Sequence, residues 1–95
     1  MTDTDIFEEL YEVIEDRRDA PREDSYTSSL LEEGVDAPLE KLGEEATEVT
    51  LAAKNDDTDE LVHESADLIY HLYVVLTARD IELEEVVEEL EERRG

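Results

Sequence analysis

Apolar residues along the chain recur every three or four positions, the repeat expected of helices that each bury one face. Ile6, Leu10, Val13 and Ile14 form one stripe, with Phe7 and Tyr11 beside it, and predict a first helix from about Asp5 to Arg18. Asp5 and Glu8 have the spacing of a capping box. Asp19 to Asp24, with Pro21 inside, reads as a loop. Ser25-Tyr26-Thr27-Ser28-Ser29 leads into a short helix carrying Leu30 and Leu31, which Gly34 ends. Asp36 is expected to cap a third helix, with Pro38 tolerated in its first turn. Within that helix Leu39, Leu42, Ala46, Val49 and Ala53 make a narrow packing seam, and Asn55-Asp56 stops it.

Asp57 or Thr58 then starts a longer helix that runs to about Ala78, with Glu60 placed to box with Asp57. Its second half, Ala66 to Ala78, is apolar on nearly every side, so several neighbours must cover it. After Arg79-Asp80 a last helix uses Leu83, Val86, Val87 and Leu90 and frays into Glu91-Glu92-Arg93-Arg94-Gly95. Strand alternation, repeats and long linkers are missing from the pattern. The expected architecture is a small all-α helical bundle, a single domain over residues 1–95. A wraparound apolar helix in so short a chain also predicts that subunits cover one another, as a homodimer.

Charge changes this picture more than length does. Eight Lys+Arg against thirty-one Asp+Glu give a formal net charge of -23. A phosphate-neutralising nucleic-acid binder needs a basic stripe, and an anionic membrane surface would repel this chain. Disordered acidic tails share the charge, but they lack 39% hydrophobic residues at helical spacing, and their acids come in blocks. Dispersed acids over a patterned core, with lysine only at Lys41 and Lys54, predict adaptation to high salt, as in a halophile. The absence of cysteine removes disulfides, thiolate zinc sites and a cysteine nucleophile. The N-terminal MTDTDIFEEL lacks the regions of a signal peptide, and Leu68 to Ala78 is too short to span a bilayer. A soluble, cytoplasmic protein is expected.

Most acids fit a solvated face, but five do not fit so easily. At ~100° per residue, Glu44, Glu45 and Glu48 share one side of the third helix. Glu64 and Asp67 share a face of the next, and Asp67 directly precedes the apolar run Leu68-Ile69-Tyr70. Antiparallel packing of the two helices could set Glu45 and Glu48 opposite Glu64 and Asp67. Clustered, partly buried carboxylates repel unless a cation joins them, and hard oxygen donors favour Mg²⁺, with Mn²⁺ possible. With no Cys and no evident Ser-His-acid arrangement, water is the expected nucleophile, activated at the metal. Glu44 is a candidate further ligand or general base, and spacing does not separate the two.

Glu44-Glu45-x-x-Glu48 followed by Glu64-x-x-Asp67 resembles the metal motif of the all-α, MazG-type nucleotide pyrophosphohydrolases. The stretches from Ser25 (SYTSSLLEEG), Lys41 (KLGEEATEVTLAAKN) and Glu64 (ESADLIYHLYVVLTAR) are similar, more specifically, to the phosphoribosyl-ATP pyrophosphohydrolase family of histidine biosynthesis. The likeness runs from Phe7 to the last helix. It implies Mg²⁺-dependent hydrolysis of phosphoribosyl-ATP to phosphoribosyl-AMP and pyrophosphate in a cytoplasmic homodimer. Asp80 departs from the family, where glycine is common at that helix end, and so does the lysine-poor surface. The alternatives are a pyrophosphohydrolase of the same fold acting on noncanonical nucleoside triphosphates, and a non-catalytic acidic helical protein that holds a basic partner.

Secondary candidates divide between function and packing. Lys41, one turn before Glu44 and Glu45, suits a phosphate contact or an ion pair with Glu45. Lys54 could touch substrate, and Asn55 could do so or simply cap the helix. Ser25, Tyr26 and Thr27 could line a substrate loop, as the family pattern suggests. His71, four residues after Asp67, reads as a hydrogen-bonded histidine behind the metal ligands, whereas His63 reads as surface. Tyr70 and Tyr73 read as core or subunit contacts. Arg17, Arg18 and Arg22 either attract phosphates or balance Asp16, Asp19 and Glu23.

Overall fold

The computed structural model describes residues 3–95 and contains five helices, with no strand among the described residues. They are α1 (Ile6–Asp19), α2 (Tyr26–Glu32), α3 (Asp36–Lys54), α4 (Thr58–Ala78) and α5 (Leu83–Arg93). The all-α bundle predicted by the apolar periodicity is thus what the chain forms.

Two helix starts follow the expected chemistry. Ser25 lies in extended backbone and its hydroxyl accepts from the Ser28 N–H at 3.1 Å. Asp57 does the same for the Glu60 N–H at 3.1 Å. Two others differ. Asp5 has helical backbone angles and makes no side-chain cap, because a cap reaches the first-turn N–H groups from extended backbone. The box with Glu8 is therefore not formed; instead Asp3 Oδ1 accepts from the Asp5 N–H at 2.9 Å. Likewise Asp36 is the first residue of α3 rather than its cap, and its carboxylate there meets the positive end of the helix dipole. A box absent from the sequence reading opens α5, where the Glu85 carboxylate accepts from the Glu82 N–H at 2.9 Å.

Helices α3 and α4 end alike. Asp56 (φ 55°) and Asp80 (φ 58°) take left-handed backbone, and the N–H of the residue after each reaches back into the helix. Those bonds are Asp57 N–H to Ala52 O at 3.1 Å and Ile81 N–H to Leu76 O at 3.0 Å. Aspartate tolerates this turn, so Asp80 makes the bend without a glycine. Arg18 reinforces the second turn: its Nη1 donates to Thr77 O at 3.1 Å and to Asp80 Oδ1 at 3.2 Å, a cation at a helix C-terminus.

The core gathers Tyr11 and Ile14 from α1, Leu30 from α2, and Tyr73 and Val74 from α4. Ile14 and Val74 are fully buried, and each contributes about 1.5–3 kcal/mol by leaving water. Tyr11 and Tyr73 meet edge to face at 4.9 Å. The outer edge of the predicted α1 stripe, Ile6, Phe7 and Val13, stays exposed. The α3 seam is also shifted: Leu42 and Val49 are half-buried and Pro38 and Ala52 buried, while Leu39, Ala46 and Ala53 face solvent. One neighbour, α4, covers α3 most extensively, so the buried face is the one turned toward it. Helix α4 touches α1, α2 and α3, yet Val62, Ala66 and Leu72 remain uncovered within the single chain.

Candidate active site

The three residues Asn55–Asp57 fold α3 and α4 into a helical hairpin, the largest interhelical contact of the structure. That packing brings Glu45 of α3 against Glu64 of α4. Glu64 is 8% exposed, and no Lys, Arg or His pairs with it among the described residues. Hydrogen bonding to Glu45 and Glu60, then burial, then the charges of those two carboxylates push the Glu64 carboxyl from 4.5 up to about 8. Protonated Glu64 can donate to one carboxylate neighbour; ionised, it meets only like charge.

Asp67 stands one turn further along α4, half-buried. Ligand atoms of His63, Glu64 and Asp67 all lie within 4.8 Å of one another, and His63 Nε2 is 3.4 Å from Asp67 Oδ2. The donor set fits a divalent cation: oxygen-rich, buried at Glu64, and in electrostatic deficit without one. His63 therefore has the acidic company that the sequence reading denied it. Glu60 was also missed as a member of the cluster. Their spacing was the available signal, since Glu60 precedes Glu64, and His63 precedes Asp67, by one helical turn.

Glu48 is exposed on α3 and is not among the atoms that converge within 4.8 Å. Glu44 is exposed and pairs with Lys41, whose Nζ is 3.5 Å from Glu44 Oε2; the pair expected with Glu45 is made with Glu44. Lys54 and Asn55 lie at the hairpin turn, about 14 Å along the axis from Glu45, and Asn55 is the C-cap.

The segment before α2 reaches the same region through two tyrosines. Tyr26 OH sits 3.4 Å from His71 Nε2, and His71 Nδ1 is 2.9 Å from the backbone carbonyl of Asp67. A carbonyl only accepts, so Nδ1 carries the proton and Nε2 accepts from Tyr26 OH. His71 is buried and joins α2 to the Asp67 turn. Thr27 Oγ1 bonds Tyr70 OH, and the Tyr26 and Tyr70 rings stack at 6.3 Å. Of Ser25, Tyr26 and Thr27, the first caps a helix and the third is buried; Tyr26 alone presents a ring, 53% exposed. The arginines pair locally: Arg17 with Asp16 at 2.7 Å, Arg18 with Asp19 at 2.9 Å, and Arg22 with Asp24 at 3.3 Å. Asp24, not Glu23, balances Arg22.

Comparison with known proteins gives a consistent result. The family model described as phosphoribosyl-ATP pyrophosphohydrolase matches residues 7–94. A protein of Halobacterium salinarum named phosphoribosyl-ATP pyrophosphatase is 54% identical over 94 residues, covering 96% of this chain and 99% of that protein. One of Haloarcula marismortui with the same name is 54% identical over 92 residues, 95% of this chain and 94% of its own length. A third so named, from Methanosphaerula palustris, is 52% identical over 96 residues, 99% of this chain and 97% of its own. With residues 7–94 matched by the family model and relatives of that name more than half identical over nearly its whole length, this chain belongs to the phosphoribosyl-ATP pyrophosphohydrolase family.

Proposed function

We propose that this protein hydrolyses phosphoribosyl-ATP to phosphoribosyl-AMP and pyrophosphate in histidine biosynthesis, using a divalent cation held between α3 and α4. The observation that carries the metal site is Glu64, a buried carboxyl surrounded by carboxylates and unpaired with any cation among the described residues. Glu45, Glu48, Glu64 and Asp67 would hold the ion, with Glu48 approaching from the next turn of α3. Mg²⁺, or Mn²⁺ in its place, would polarise the phosphate oxygens and lower the pKa of the attacking water.

The chain's own residues supply the rest. Water forms a new P–O bond as the anhydride P–O bond between the α- and β-phosphorus breaks, and the bridging oxygen keeps the electron pair on the departing product, giving phosphoribosyl-AMP and pyrophosphate. Glu44, exposed on α3 next to Glu45 in sequence, would either take the proton from water or add a further ligand. Lys41, beside it, offers charge to a phosphate oxygen. The exposed Tyr26 ring, fixed through His71 to the Asp67 turn, offers a flat face to the nucleotide. Ser25 caps the helix that carries Tyr26, Thr27 bonds the Tyr70 ring stacked on it, and Lys54 and Asn55 would meet the distal end of the substrate.

The active form is a homodimer. Two apolar grooves of about 440 Å³ each open on the surface. One is lined by Ile6, Leu10, Leu61 and Val62, the other by Leu72, Val86, Val87 and Leu90, and both share Phe7 and Ile69. A second copy would cover them and complete the burial of α4, which its all-round apolar sequence requires. No helix among the described residues is long and apolar enough to cross a membrane, and a cytoplasmic location suits a biosynthetic hydrolase of this kind.

Pyrophosphate release measured side by side on phosphoribosyl-ATP and on noncanonical nucleoside triphosphates tests the substrate. Turnover of the first alone is expected. Faster turnover of the others would move this chain to nucleotide house-cleaning.

A further inference from the structure

We infer that His63 supplies an imidazole nitrogen to the metal site, making it a mixed oxygen–nitrogen site. The inference rests on the proposed metal-binding role of Glu64 and Asp67, and it adds a donor of a different chemical kind.

Geometry is the first support. His63 Nε2 lies 3.4 Å from Asp67 Oδ2, and the His63, Glu64 and Asp67 donor atoms are mutually within 4.8 Å. Around an ion with ligands at roughly 2.1 Å, neighbouring donors stand about 3.0 Å apart and opposite donors about 4.2 Å. Small side-chain adjustments therefore bring all three atoms to one ion, with the helix backbone unchanged. Residues four apart on a helix face the same way, so His63 and Asp67 approach such an ion together.

The second support is the buried Glu64 carboxyl, directed into the same space and paired with no cation among the described residues. A surface ion pair between His63 and Asp67 would leave that carboxyl uncompensated, whereas an ion shared by the three groups compensates it. The other imidazole is already committed. His71 Nδ1 donates to the Asp67 carbonyl at 2.9 Å, and its Nε2 faces Tyr26 OH at 3.4 Å.

Imidazole suits Mn²⁺ and later first-row ions, whereas Mg²⁺ prefers oxygen and water. His63 thus tilts this site toward Mn²⁺ relative to an all-carboxylate one. Its side chain is 68% exposed, so His63→Ala removes the donor without opening the core.

The test is Mn²⁺ titrated into the full chain in molar KCl at constant pH, read by electron paramagnetic resonance with electron spin-echo modulation. Loss of the aqua-ion signal reports binding, and nitrogen modulation reports an imidazole ligand. Binding with nitrogen modulation is expected in the intact protein, with the modulation absent from His63→Ala. In that variant Mn²⁺ affinity should fall about 10-fold or more while Mg²⁺ affinity changes less than about 3-fold. Bound Mn²⁺ without nitrogen modulation, or modulation that survives His63→Ala, overturns the inference and leaves the carboxylate site standing. No Mn²⁺ binding at all overturns both.

Discussion

Across the α3–α4 hairpin the Glu45 carboxylate, with Glu60, holds the buried Glu64 carboxyl up at about 8, so that it keeps its proton near neutrality. The ion-free protein therefore carries an electrostatic fault at the place where the proposed chemistry needs a cation. Glu64→Gln keeps the shape and can still donate to Glu45, but it removes a charge. This variant should melt at a higher temperature than the parent in molar KCl without divalent ions. A lower melting temperature would mean that Glu64 stabilises the hairpin in some other way.

The pH dependence follows in sign. Glu64 has a folded value of about 8 against an ordinary 4.5, so between those values the native chain binds a proton that the unfolded chain has released. Its contribution to stability is fully present below pH 4.5 and is lost as pH rises through about 8. Thermal melts in this window should fall with pH for the ion-free parent, and fall less for Glu64→Gln. Binding of Mg²⁺ near neutrality should release up to about one proton, measurable by calorimetry in buffers of different ionisation heat. Equal heats in all buffers would contradict this.

The acidic surface sets a salt requirement. With a net charge of -23 on 95 residues, self-repulsion opposes folding until counter-ions screen it. Helical circular dichroism should weaken in dilute buffer and recover in molar KCl. A spectrum indifferent to salt would remove the argument.

Subunit association is tested at Val62, 67% exposed on the apolar groove between α1 and α4. Val62→Glu places a charge there without disturbing the monomer core. Sedimentation should change from dimer to monomer, and an unchanged dimer would place the interface elsewhere.

The sequence made helix type and order legible because apolar spacing reports which face is buried, and Ser25 and Asp57 announced their helix starts. Spacing could not report backbone angles. Asp5 and Asp36 have the right side chains for caps, but their neighbours place them in helical conformation. Nor could it report which of two acids goes inside. Asp67 drew attention by preceding an apolar run, yet Glu64 is the more buried, because α3 covers its face and brings Glu45 with it. Glu60 and His63 fell outside the recognised motif, and they joined the cluster only when the hairpin was seen in three dimensions. The apolar surface of α4 was legible in part: its length demanded cover, but only packing showed which residues stay bare.

The central claim is that the carboxylates facing one another across the α3–α4 hairpin hold the cation that hydrolysis of phosphoribosyl-ATP requires. The measurement that meets it most directly is pyrophosphate release from phosphoribosyl-ATP in molar KCl, with and without Mg²⁺, for the parent and Glu64→Gln. Release should depend on Mg²⁺ and drop by about 100-fold or more in the variant, although the variant remains fully helical. Undiminished release by Glu64→Gln, or equal release without a divalent ion, would contradict the account.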